Sequence, residues 1–174
     1  MNIRILVMLS LLVGIGAVLH AIMPPFFLGM RPDMLLAMMF LGIILFPKFK
    51  YVMILSLATG IISALTTTVP GGQIANIIDK PLTALAFFGL FIAGRKFVKQ
   101  NIYAPLLTAL GTMISGTIFL SVILFIIGLM EGSFPVMFAT IVLPTAAINT
   151  SAMMVIYPVT QGIMKRSQLS ASYQ

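Results

Sequence analysis

Two short stretches carry the residues able to bind a small polar solute. Residues 70–83 (PGGQIANIIDKPLT) place Gln73, Asn76, Asp79 and Lys80 between Pro70 and Pro81. Residues 29–33 (GMRPD) add Arg31 and Asp33. Each stretch sets a cation within two positions of a carboxylate, in a chain that is otherwise nearly all apolar. Such pairs suit a zwitterion such as an amino acid. Arginine or lysine meets the carboxylate, arginine best through its two-pronged fork, and aspartate meets the ammonium. The plainer alternative is a set of water-exposed loop charges that cap helix ends, with Asp79 before Pro81 opening a helix. Asn149 lies within a long apolar run, where an amide needs an internal partner. Together with Gln73 and Asn76 it offers neutral hydrogen bonds. His20, with a reference pKa of about 6.5, suits proton coupling, and Phe26, Phe27, Phe87, Phe88 and Tyr157 offer an aromatic slot.

The elements that must position these residues are membrane helices. Of 174 residues 60% are hydrophobic and only 7% charged, against about 25% charged in soluble domains. Runs of about 20 apolar residues recur, so lipid is the solvent. No stretch is polar enough to fold separately in water, which predicts one domain over 1–174. The charge of +7 does not point to nucleic acid, because the basic residues fall in short clusters between apolar runs. With no cysteine, one histidine and three carboxylates, disulfides, thiol catalysis and a dedicated metal site are not expected. The sequence has no GxxxxGK[ST], HExxH or GxSxG motif, so neither an enzyme nor a resident cofactor is expected.

Six spans are predicted, over about 5–23, 34–46, 51–69, 81–94, 104–130 and 134–164. The first continues past the length of a signal sequence and reads as a retained span. Pro24-Pro25 ends it, and the second is short enough to suggest a segment dipping into protein rather than facing lipid. Pro81 suits the first turn of the fourth. With the amino terminus in the cytoplasm, Arg4, Lys48, Lys50, Arg95, Lys96, Lys99, Lys165 and Arg166 all lie inside. Only Arg31 and Lys80 lie outside, with Asp33, Asp79 and Glu131. The two exceptions are the two candidate site cations, and intramembrane ionisable groups tend to be functional.

The runs GxxLHxIxPPFFLGMRPDMLLAMMF, GIISALTTTVPGGQIANIIDKPLTA and LPTAAINTSAMMVIYP resemble the TrpP-type tryptophan transporter family over about 5–164. That family is similar to the substrate-binding S components of energy-coupling-factor transporters, compact six-helix membrane proteins with both termini cytoplasmic. The resemblance implies tryptophan uptake across the plasma membrane, with L-tryptophan and the lipid bilayer as partners. It makes Arg31, Asp33, Asn76, Asp79, Lys80 and Asn149 the expected site, with the 24–33 and 70–83 loops and the last helix around it. S components dock a coupling subunit through small residues of the first helix, a spacing that Ala17 and Ala21 match. Three readings stay open: an ion-coupled carrier, with His20 or an aspartate moving the proton; an S component needing an energy-coupling-factor transmembrane and ATPase module; and a non-transporting membrane scaffold.

Overall fold

Prolines and glycines cut the apolar chain into helices. The computed structural model describes residues 2–24, 31–129 and 132–166. Helix α1 (Ile3–Ile22) is capped by the Asn2 side chain, which accepts from the Arg4 amide, and ends just before Pro24. Helix α2 (Met34–Leu45) is capped by Asp33, and α3 (Phe49–Thr66) follows Pro47. Helix α4 (Gly72–Gly94) starts after Gly71, whose φ of 76° is a left-handed conformation that glycine adopts freely. Helix α5 (Gln100–Ser121) runs on through π-helical turns at Val122–Ile127. The short α6 (Phe134–Met137) passes through a second π-helical stretch, Phe138–Val142, into α7 (Leu143–Arg166). Five helical segments are long and apolar enough to cross a membrane, and α2 is a sixth, shorter apolar helix.

Helix α2 is the axis of the bundle. Its 12 residues reach about 18 Å at 1.5 Å per residue, too short for a hydrocarbon core of about 30 Å. Every residue from 34 to 44 is buried, and α1, α3, α4, α5 and α7 all touch it. A helix that is apolar all round must be enclosed, and glycines let neighbours come close. A Cβ on Gly16 falls 3.1 Å from the Leu35 Cα, and one on Gly111 falls 2.7 Å from the Phe87 ring.

One expectation needs correcting. Residues 72–83 are not a polar loop, and Asp79 does not open a helix: α4 runs unbroken from Gly72 through Pro81. The reason is periodicity. Asn76, Asp79, Lys80 and Thr83 fall on the inward face, while Ile74, Ile77 and Leu82 point outward. Pro81 removes the amide that the Ile77 carbonyl would meet, a loss that membrane helices tolerate when neighbours compensate.

The basic ends gather together. The Asn2 amide donates to the Tyr51 hydroxyl at 3.1 Å, and Tyr157 donates to Gln100 at 2.8 Å. These bonds bring the starts of α1, α3 and α5 and the end of α7 to one side. Arg4, Lys48, Lys50, Arg95, Lys96, Lys99 and Lys165 are exposed there.

Candidate functional site

The inward face of α4 changes character along its length. Ala75 belongs to an apolar cluster with Leu120 and Val142; Ala84 and Phe87 belong to a second with Leu36, Phe40 and Met153. Between them lie Asn76, Asp79, Lys80 and Thr83. Helix α5 repeats the pattern with Thr108, Thr112 and Ser115, and α7 with Thr145 and Asn149. A polar layer thus crosses the bundle between two apolar ones.

Asp79 is fully enclosed and accepts from three donors. Thr83 donates to its Oδ1 at 2.6 Å; Ser115 and Lys80 donate to its Oδ2 at 2.6 and 2.8 Å. Lys80 is 2% exposed and also reaches Asp33 Oδ2 at 2.5 Å, so a single ammonium bridges two carboxylates. A buried charge needs such partners. Asp33, 19% exposed, ties four helices together. Its Oδ1 accepts from the Leu36 amide at 3.0 Å, the N-cap of α2, and its carbonyl accepts from Asn149 at 3.2 Å. Its other carboxylate contacts reach α4 through Lys80 and α1 through His20, whose Nδ1 lies 3.9 Å from Asp33 Oδ1 and 3.2 Å from the Pro32 carbonyl. Arg31 donates through Nη1 to the Ala21 carbonyl at 3.0 Å, near the negative end of α1. Its Nε is buried with no hydrogen-bond partner among the described residues.

These groups surround a cleft that opens to one side of the bundle. Arg31, Asp33, Lys80 and Asp79 supply its charge; His20, Ser63, Asn76, Thr66, Thr67, Thr112, Ser115 and Thr145 add further polar atoms. Leu36, Val69, Phe119, Ile141 and Val142 give it apolar walls. Taken as charged in their usual states, Arg31 and Lys80 balance Asp33 and Asp79.

The structure brings together Arg31, Asp33, Asn76, Asp79, Lys80 and His20 from the expected set, and puts Asn149 directly behind them. Gln73 is exposed on α4 and does not line the cleft. Tyr157 is enclosed at the basic end, bonded to Gln100 and Gln161. Phe87 is not part of a slot either; it stacks on Phe40 with centroids 4.1 Å apart. Phe26 and Phe27 lie outside the described residues. Of the docking candidates, Ala17 is partly buried against the core and Ala21 is exposed, beside the exposed Val18 and Ile22. Sequence reasoning passed over Ser63, Thr83, Thr112 and Ser115. The signal was there: 108, 112 and 115 share one face of a helix.

The family model described as "Tryptophan transporter TrpP" matches residues 2–165. The chain is 52% identical to a probable tryptophan transport protein of Bacillus subtilis (strain 168), over 96% of each chain. It is 39% identical to one from Clostridium perfringens (strain 13 / Type A), over 97% of each. A third, from Clostridium acetobutylicum, is 38% identical over 95% of this chain and 96% of that one. No solved structure matches.

Proposed function

The chain belongs to the tryptophan transporter TrpP family, and from that premise we propose that it takes up tryptophan as a zwitterion, bound in the cleft between α1, α3, α4, α5 and α7. The carrying observation is the balance of charge. Two carboxylates and two cations line a partly enclosed cleft, and a zwitterion enters without unbalancing it. A net anion or cation would leave an uncompensated charge there, which is costly.

The roles divide by what each group has to spare. Asp79 has its donors already and holds Lys80 in place. The partly exposed Asp33 receives the α-ammonium. Arg31, which lines the cleft and whose Nε has no hydrogen-bond partner among the described residues, receives the carboxylate. The indole lies against Leu36, Val69, Phe119, Ile141 and Val142. Seven exposed basic side chains at the opposite end of the bundle orient the molecule by the positive-inside rule. The cleft then faces outward, with both termini cytoplasmic in the plasma membrane.

The test is uptake of labelled tryptophan into proteoliposomes containing this protein alone, with and without an imposed proton or sodium gradient. Gradient-driven accumulation establishes a self-sufficient carrier, for which His20 is the proton-handling candidate. Saturable binding without accumulation favours a binding subunit that awaits an energy-coupling-factor module. No binding at all sinks the reading and leaves the scaffold.

A further inference from the structure

We propose that the Ser63 hydroxyl accepts the hydrogen bond of the indole N–H and so sets the preference for an indole over other flat ring systems. The inference rests on the tryptophan reading above and adds a residue to it.

Ser63 is unusual among the hydroxyls of this bundle. Thr66, Thr108, Thr112, Thr117, Thr140, Thr150, Ser151 and Thr160 each donate to the carbonyl four residues back, the usual resting place of a hydroxyl in an apolar helix. Ser63 does not. It is 3% exposed, and its Oγ has no partner among the described residues. A buried polar atom left this way carries a desolvation cost. Unlike Thr59 and Asn149, which also hold an unpartnered buried oxygen, Ser63 lies on the cleft wall.

The chemistry of the ligand completes the argument. Tryptophan has three polar groups: a carboxylate, an ammonium and an indole N–H, which only donates. Of the four buried atoms left unpartnered among the described residues, two belong to side chains of the cleft lining, Arg31 Nε and Ser63 Oγ. The first is a cationic donor and takes the carboxylate; Asp33 takes the ammonium; the hydroxyl oxygen is left for the N–H. Among rival hydroxyls, Thr67 Oγ1 accepts from the Val69 amide and Thr112 Oγ1 from Asn149, which leaves Thr145 as the competing acceptor on the cleft wall. A buried indole N–H usually finds a partner, and a site built to meet one rejects an analogue lacking it.

The experiment compares L-tryptophan with 3-benzothienyl-L-alanine, in which sulfur replaces the N–H at nearly the same shape. Binding to the purified full chain is measured for the native protein, Ser63→Ala and Ser63→Cys. The native protein should prefer tryptophan by about ten-fold, the size of one net hydrogen bond. Both variants should lose that preference by weakening tryptophan while the sulfur analogue binds as before. Ser63→Cys keeps nearly the native volume with a poor acceptor, and it carries the comparison if Ser63→Ala folds badly. Equal weakening of both ligands assigns Ser63 to packing and overturns the proposal. So does an unchanged preference. A native protein that binds neither ligand refutes the tryptophan reading itself, which is a different result.

Discussion

Helix α2 and the first half of α4 are both buried in the same bundle, and they are built by opposite rules. Helix α2 is apolar on every side and is held by close packing, with Gly16, Gly42 and Gly111 letting neighbours approach. The first half of α4 turns Asn76, Asp79 and Lys80 inward and Ile74 and Ile77 outward. In water the second arrangement would be inside out. In lipid it is the stable one, because hydrocarbon accepts Ile74 and Ile77 but offers nothing to Asp79 or Lys80. One region therefore depends on shape and the other on complete pairing, and substitutions should separate the two.

The largest effect is expected at Lys80. Replacing it with methionine leaves Asp33 and Asp79 facing each other without their shared ammonium. Breaking a buried pair from one side costs about 3–5 kcal/mol, so Lys80→Met should sharply lower the folded yield and the unfolding midpoint in detergent. Combining it with Asp79→Asn removes the more deeply buried of the two stranded charges and should restore at least half of the loss. If the double variant is no better than the single one, pairing is not what holds this layer.

Arg31 should behave differently, because among the described residues its side chain makes one hydrogen bond, to the Ala21 carbonyl. Arg31→Gln should leave the unfolding midpoint nearly unchanged and weaken tryptophan binding about ten- to a hundred-fold, the range of a charged hydrogen bond. Unchanged affinity in equilibrium binding would remove Arg31 from the carboxylate site. Gly111→Ala reverses that pattern. Its new methyl meets Phe87 at 2.7 Å and Phe40 at 2.8 Å, two enclosed rings stacked within 3° of parallel and with little room to turn. Overpacking costs about 1–3 kcal/mol, so the midpoint should fall while the dissociation constant for tryptophan holds. A loss of binding instead would show that core and site are not separable.

Much of the site was legible because it breaks the composition around it. Arg31, Asp33, Asp79 and Lys80 stand out in a chain that is 7% charged, and Asn149 stands out in an apolar run. What misled was averaging. Four polar residues near two prolines read as a loop, although 76, 79, 80 and 83 fit one face of a helix. The hydroxyls were harder to see. Ser115 meets Asp79 across 36 positions in sequence, and Asn149 reaches the Asp33 carbonyl across 116. Such pairings exist only once α5 and α7 have packed: the spacing of 108, 112 and 115 puts them on one face of a helix, but it does not say which carboxylate or amide that face will meet. Tryptophan itself is not written in any of these side chains; it came from likeness to the family.

The smallest effects are expected where sequence and structure part company. Tyr157 and Gln73 both read as candidate ligands, yet one is sealed at the basic end and the other faces outward from α4. The Tyr157 hydroxyl donates to Gln100 and accepts from Gln161, a link between α5 and α7 that is remote from the cleft. Tyr157→Phe keeps the ring and should cost about 1 kcal/mol of stability for the lost hydrogen bonding, with unaltered tryptophan affinity. Gln73→Ala breaks no hydrogen bond seen within the described residues, and a surface change of this kind stays within about 0.5 kcal/mol. Thermal midpoints and tryptophan binding measured on both variants check the pair. Weakened binding in Tyr157→Phe would mean that the basic end communicates with the cleft through α7. Weakened binding in Gln73→Ala would mean that the site extends outward past the polar layer, over the first turn of α4.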